Sequence, residues 1–267
     1  MEVCYRHPKR ETGVRCSNCE RPICPDCMTS TPVGMRCPEC ARQSTKVRTM
    51  RSVRTGGDPT LTYVLIGINV VVGIAALYGG DIGGEGRTLE DSWELSRLQL
   101  AGGDLWRLVT NGFVHRDIFH LGLNMLALWI LGTMLEPALG RLRFGLIYFV
   151  ALLCGSLGVL LFSADESAGA SGAVFGLMGA AVVISRSRGF SLMESGLGLW
   201  LGLNLLITFT LPNISVGGHI GGLIGGALAA LALEELPARV RMPPYLPEVL
   251  CAAIGAVAVA VSVVQYA

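Results

Sequence analysis

Charge is what this sequence has little of. Only 15% of its 267 residues are Asp, Glu, Lys or Arg, where a soluble globular domain carries about 25%. With 51% hydrophobic residues and a mean hydropathy of +0.54, that deficit excludes an ordinary water-soluble fold and points to an integral membrane protein. Aromatics are also scarce, at 7%, so the 35 glycines do not belong to a low-complexity aromatic tract. Small residues in apolar runs instead suggest closely packed membrane helices. The apolar runs lack strand-like alternation, which argues against a β-barrel. Beyond residue 40 cysteine nearly vanishes: Cys154 and Cys251 stand alone in apolar runs and read as small buried hydrophobes. The N-terminus is polar and basic, with no apolar core of a cleaved leader. Its cysteines are therefore expected to face a reducing cytosol, where paired cysteines bind metal rather than form disulfides.

What is present is unevenly placed. Residues 1–60 hold 11 of the 21 Lys and Arg residues, and residues 1–45 are polar, cysteine-rich and sprinkled with proline. Residues 46–60 form a basic linker, expected to act as a positive-inside anchor, with anionic lipid binding as the alternative. From residue 61 onward seven apolar runs are read as membrane helices: 61–78, 119–136, 144–162, 171–185, 196–211, 217–236 and 247–266. Most match the 17–25 residues that cross a bilayer, and the fourth and fifth are short. Arg141, Arg143, Arg186, Arg188, Arg239 and Arg241 fall in alternate connections, whereas 163–170 and 212–216 contain no Lys or Arg. By the positive-inside rule the N-terminus is cytoplasmic and the C-terminus lies outside. The long connection 79–118 carries Trp106 and Arg107, which suit either a membrane interface, Trp at headgroup depth and Arg toward phosphate, or an ordinary folded loop.

Polar side chains inside membrane spans are costly and mark function by default. The second span opens with His120 and has Asn124 one turn later on the same face. The fourth starts at Gly169-Ala170-Ser171-Gly172, and the sixth at Gly217-Gly218-His219-Ile220-Gly221-Gly222. Asn204 stands in the fifth with no obvious partner. The second, fourth and sixth spans share one direction, so His120, Asn124, Ser171 and His219 fall at similar depth. Taken alone, Ser171 would bond back to its own helix, and His219 would be a structural hydrogen bond. Together they form a chemical set. His219 can take the Ser171 proton, as a dyad, since no Asp or Glu lies nearby in those spans. Asn124, His120 and the Ser171 backbone N–H can hold an oxyanion. Glycine pairs four apart, Gly172 with Gly176 and Gly218 with Gly222, let the helices approach closely.

These residues resemble the rhomboid family of intramembrane proteases over about residues 61–236. The resemblance is carried by Trp106-Arg107, His115, His120-x-x-x-Asn124, Gly169-x-Ser171-Gly172, and His219 followed by Gly222. It implies an all-α polytopic membrane protein with a six-helix core and a seventh transmembrane helix, occupying 61–267. It implies Ser171 as nucleophile, His219 as general base, and an oxyanion held by His120, Asn124 and the Ser171 amide. Arg107 would help seat the first loop in the interface. Phe175 stands where many members have a tyrosine, which keeps the ring face and loses the hydroxyl. Substrates would be transmembrane proteins, cut where the helix is weakened. The competing readings are a non-catalytic member that holds client helices in the bilayer and, further off, a transporter.

The first 40 residues hold four metal-ligand pairs: Cys4-x-x-His7, Cys16-x-x-Cys19, Cys24-x-x-Cys27 and Cys37-x-x-Cys40. Eight ligands suffice for two tetrahedral Zn²⁺ sites with no open position, hence structural rather than catalytic ions. The pattern is similar to a B-box-type cross-brace, and that resemblance pairs Cys4, His7, Cys24 and Cys27 against Cys16, Cys19, Cys37 and Cys40; sequential pairing is the alternative. Metal is expected to hold this cytoplasmic domain folded. A cytoplasmic protein is the preferred partner. Nucleic-acid binding through Lys9, Arg10, Arg15 and Arg21 is disfavoured, because a membrane-tethered chain reaches nucleic acid poorly.

Overall fold

A computed structural model describes residues 2–31, 34–42, 57–80, 88–162, 167–189, 196–210 and 214–267. Most of the basic linker, up to residue 56, lies outside the described residues. The chain divides into two compact units, Met1–Val53 and Arg54–Ala267.

Among its described residues the first unit has almost no apolar core beyond its cysteines. It consists of two antiparallel hairpins, β1 (Glu2–Cys4) with β2 (His7–Thr12) and β3 (Thr29–Thr31) with β4 (Gly34–Arg36), followed by the short helix α1 (Pro38–Arg42). Six buried cysteine sulfurs and Ile23 form its centre.

In the second unit the apolar runs satisfy their backbone groups as helices, as chain in lipid must. The elements are α2 (Thr60–Tyr78), three short helices α3 (Leu89–Trp93), α4 (Arg97–Ala101) and α5 (Arg107–Thr110), then α6 (Ile118–Leu139), α7 (Arg141–Phe162), α8 (Ser171–Ser187), α9 (Leu197–Thr210) and α10 (Val216–Ala230). A π turn (Leu231–Glu235) continues α10 into α11 (Leu236–Arg239), and α12 (Leu246–Tyr266) closes the chain. Among the described residues five segments are long and apolar enough to cross a membrane: α2, α6, α7, the continuous Val216–Arg239 stretch and α12. The expected fourth and fifth spans are the two shorter apolar helices α8 and α9.

The core is built around α7. Buried positions make up 61% of its most apolar stretch, against 28% for α2 and 22% for α12, so α7 is the central helix and the other two are peripheral. Glycine sets how α7, α8 and α10 meet. A β-carbon at Gly158 would stand 2.1 Å from the Gly217 carbonyl oxygen, and one at Gly226 would stand 2.0 Å from that of Gly176. Both distances are far inside van der Waals contact, so the backbones touch. Contacts rise together along α8 and α10, Gly172 with Gly222 and Gly176 with Gly226, so these helices run parallel. Along α7 they run in opposite senses, Gly158 with Gly217 and Cys154 with Gly221 and Gly225.

Helix ends are tied by side chains. The buried Glu136 carboxylate of α6 accepts from the N–H groups of Leu61 (2.9 Å) and Thr62 (2.7 Å) and from Thr62 Oγ1 (2.7 Å). It thereby satisfies donors that the first turn of α2 cannot satisfy itself. Asp117 caps α6 through the N–H groups of Phe119 and His120, and Ser215 caps α10 through that of Gly218. At the far end, Arg143 of α7 pairs with Glu234 of the π turn (3.0 Å) and Glu248 of α12 (2.8 Å), and Arg188 also reaches Glu234 (3.2 Å).

Candidate active site

Ser171 is the first residue of α8, where the backbone N–H has no carbonyl of its own helix to bond. The turn before it is held from three directions. Gly169 has φ +129°, and a β-carbon there would stand 2.6 Å from His120 Cε1, so only glycine lets this backbone lie against the His120 ring. The Gly169 N–H donates to the Asn111 carbonyl (2.8 Å), and the Ala170 N–H donates to His115 Nε2 (3.3 Å). That last bond requires a neutral His115 with a lone pair on Nε2. Burial, helped by the neighbouring His120, pushes the His115 imidazole down to about 4. The His115 and His120 rings meet edge to face at 5.1 Å.

His219 lies in the first turns of α10. Its ring stacks on Phe175 with centroids 4.0 Å apart and planes 17° from parallel. Phe175 is one turn after Ser171, on the same face of α8, so the stack holds the imidazole over the face that Ser171 begins. Among the described residues no hydrogen bond joins Ser171 to His219. The His219 Nδ1 meets Thr208 Oγ1 of α9 at 2.8 Å. Gly172 and Gly222 lie at the backbone contact between these two helices. Asn124 gives one amide N–H to the His120 carbonyl (2.9 Å) and has a second to give. A small cleft lined by Ser171, Gly172, Asn111, Ser156, Ser167 and Ser215 adjoins the serine.

Two expectations need correction. Arg107 does not turn outward to phosphate. Its side chain is buried and donates to the carbonyls of Asp91 (2.9 Å) and Glu94 (2.8 Å) while pairing with Asp104 (2.9 Å). The guanidinium's fixed fork of donors matches loop carbonyls that would otherwise be unsatisfied, so Arg107 stabilises the 88–117 connection from within. Trp106 beside it is the exposed member of the pair. Asn204, for which the sequence suggested no partner, donates to the Trp200 carbonyl (2.8 Å), and its own carbonyl accepts from Thr208 Oγ1 (2.8 Å).

Sequence reasoning missed Thr208, Asn111 and Ser156. Asn111 donates to Ser156 Oγ (3.0 Å), which donates to the Leu108 carbonyl (2.8 Å), tying the connection that carries Arg107 to α7. Asn111 lies outside the apolar runs, and Ser and Thr in membrane helices usually bond back to their own turn. No signal in the sequence set these three apart.

In the first unit the ligand atoms fall into two groups: Cys4, His7, Cys24 and Cys27, and Cys16, Cys19, Cys37 and Cys40, with the atoms of each group within 4.8 Å of one another. The pairs thus interleave rather than run sequentially. His7 Nδ1 faces the sulfurs of Cys4, Cys24 and Cys27 at 3.9, 3.3 and 3.4 Å, and Cys19 Sγ lies 3.8 Å from Cys37 Sγ. Four thiolates around a tetrahedral Zn²⁺ at about 2.3 Å would stand about 3.8 Å apart, so both groups fit an ion of that kind. Burial pushes the Cys4 and Cys16 thiols up, but backbone N–H groups aimed at each sulfur outweigh it and bring both down to about 6. Three of the four basic residues weighed for nucleic acid are paired internally: Arg10 with Asp26, Arg15 with Glu2, and Arg21 with Glu39.

Residues 102–235 match the family model described as the Rhomboid domain. "Rhomboid protease GluP" of Bacillus subtilis (strain 168) is 39% identical over 196 residues, 72% of this chain and 38% of that protein. "Putative rhomboid protease YdcA" of the same organism is 32% identical over 147 residues, 53% of this chain and 74% of that protein. "Inactive RHOMBOID-like protein 8" of Arabidopsis thaliana is 33% identical over 171 residues, 61% of this chain and 48% of that protein. The chain spans well under two thirds of the length of GluP and of RHOMBOID-like protein 8.

Proposed function

The chain belongs to the rhomboid family, and from that premise we propose that it is an intramembrane serine endopeptidase in which Ser171 attacks the scissile carbonyl and His219 is the general base. The observation that carries this reading is the stack of His219 on Phe175, one turn beyond Ser171. It supports the reading because Phe175 shares a face of α8 with Ser171, and the backbones of α8 and α10 touch at Gly172 and Gly222. The Ser171 N–H, the second Asn124 N–H and the His120 ring are the donors for the developing oxyanion. His115 and Gly169 hold the turn that aims Ser171, Gly172 and Gly222 allow the close approach, and Arg107 and Trp106 support the connection above.

Substrates on this reading are transmembrane proteins of the same bilayer, cut near the outer end of a helix that small or Gly/Pro residues weaken, because a hydrogen-bonded helix hides its carbonyls from attack. The protein sits in the cell membrane with its N-terminus cytoplasmic and C-terminus outside, by the distribution of arginine. Residues 1–45 form a cytoplasmic module in which the two interleaved groups each hold a structural Zn²⁺. The ions supply the folding energy that this segment's small core lacks. A cytoplasmic protein is the partner that such a module would recruit.

The test is cleavage of a fluorescent single-span reporter by the purified protein in liposomes, beside Ser171→Ala, with labelling by a fluorophosphonate. Cutting and labelling by the parent and neither by the variant are expected. A relative at 33% identity is named inactive, which gives the second reading its footing. A well-folded parent that neither cuts nor labels, yet co-purifies with helical clients, would replace the protease with a client-holding protein.

A further inference from the structure

We infer that Thr208 is a positioning residue for His219, a neutral third member that fixes which imidazole nitrogen carries the proton. The inference rests on the protease reading and adds a residue to it. Thr208 is buried, and its Oγ1 makes two contacts of equal length, 2.8 Å to the Asn204 carbonyl one turn earlier and 2.8 Å to His219 Nδ1. A hydroxyl has one proton to give. The carbonyl can only accept, whereas an imidazole nitrogen can do either. If Thr208 gave its proton to His219, two oxygens without a proton between them would face each other at 2.8 Å. The arrangement that satisfies both contacts has Thr208 donating to Asn204 and accepting from His219. Nδ1 is then the protonated nitrogen, and Nε2 keeps its lone pair.

That tautomer is the one a general base needs. As Ser171 Oγ bonds to the scissile carbon, its proton passes to Nε2 and the carbonyl π pair moves onto the oxygen. Nδ1–H keeps its bond to Thr208, and the Nε2 proton leaves later with the amine. The imidazolium formed in between has a stronger N–H donor, which Thr208 already accepts. A carboxylate would hold the cation more strongly, but as a charge buried among apolar helices it would itself be costly. A threonine whose proton is committed to its own helix supplies an acceptor without a charge. The device also links the site to α9, since α9 must hold Thr208 beside α10 for the tautomer to be set.

The experiment uses the full chain in lipid nanodiscs, labelled with ¹⁵N-histidine. The protein has four histidines, so His219→Gln assigns the His219 ring signals by subtraction. The parent is expected to show a protonated Nδ1 and a bare Nε2. Thr208→Val keeps the shape and removes the acceptor; it should give a mixture of tautomers. It should also lower kcat by about 10- to 100-fold, part of the roughly 100- to 10,000-fold that a positioned general base contributes, with KM for the reporter unchanged. Thr208→Ser should restore both readouts. A parent with Nε2 protonated, or a Thr208→Val variant with the parent's tautomer and kcat, would overturn the assignment. If the parent fails to cut or label, the protease reading falls, while the ring signals still decide whether Thr208 sets the tautomer.

Discussion

Gly222 of α10 lies so close to Gly172 of α8 that a β-carbon on it would stand 2.0 Å from the Gly172 carbonyl oxygen. The obstacle is backbone, which cannot rotate aside. Gly222→Ala must therefore push the two helices apart at the level of Ser171 and His219. Overpacking of this kind costs about 1–3 kcal/mol, and a displacement near 1 Å at a reacting pair costs on the order of 100-fold in rate. Gly222→Ala is expected to unfold at lower temperature and to lose most reporter cleavage. Gly202 of α9 has nothing within 4 Å of its would-be β-carbon, so Gly202→Ala serves as the control with a parent-like melting temperature. Equal melting of both variants would refute the backbone contact.

Glu136 makes a prediction that does not depend on catalysis. All of its hydrogen-bond partners on α2 are donors. Glu136→Gln would turn an NH₂ toward one of them and leave buried donors unmatched, at a cost of about 1–3 kcal/mol. Equilibrium unfolding in bicelles should show that loss. Thr62→Val, which removes only the hydroxyl donor, should cost less than Glu136→Gln. The reverse order would mean that the helix-end N–H groups do not need this carboxylate.

The sequence made the membrane fold legible because apolar length and glycine spacing are local signals. The same signals marked Ser171 and His219, since a polar group in an apolar run is conspicuous. Arg107 was misread because two of its three partners are backbone carbonyls, at residues 91 and 94, and a carbonyl leaves no trace in residue type. Thr208 was passed over for a related reason. In a membrane helix threonine usually satisfies itself, and only the fold brings a second acceptor role into play. The interleaving of the metal ligands likewise depends on how the two hairpins cross, which spacing alone left open between two pairings.

His115 gives the pH dependence. Its Nε2 accepts the Ala170 N–H only while the ring is neutral, and burial lowers it from 6.5 to about 4. Between these values the unfolded chain binds a proton that the folded one does not. Stability from this group is thus complete above about pH 6.5 and declines as pH falls toward 4, by roughly 3 kcal/mol at the limit. Melting temperatures measured from pH 7.5 to 4.5 should fall with acidification. They should fall less steeply in His115→Gln, which cannot titrate. An identical slope in the two proteins would assign the acid sensitivity elsewhere.

The metal module tests charge as well as ligation. Four thiolates around Zn²⁺ leave a net charge of −2, whereas three thiolates and a neutral histidine leave −1. In the Cys16, Cys19, Cys37, Cys40 group a guanidinium lies on two of the sulfurs: Arg21 Nε is 3.2 Å from Cys19 Sγ, and its NH2 nitrogen is 3.8 Å from Cys37 Sγ. Metal analysis of the purified chain should find two zinc ions, falling to one in Cys16→Ser. Arg21→Gln should retain both and release one to a chelator about 10- to 100-fold more readily, as loss of a partner bonded to a ligand does. The site containing His7 should keep its metal as tightly as before, because the sulfurs that Arg21 touches belong to the other group. Equal release from both sites in Arg21→Gln would mean that the arginine serves only the surface pairing with Glu39.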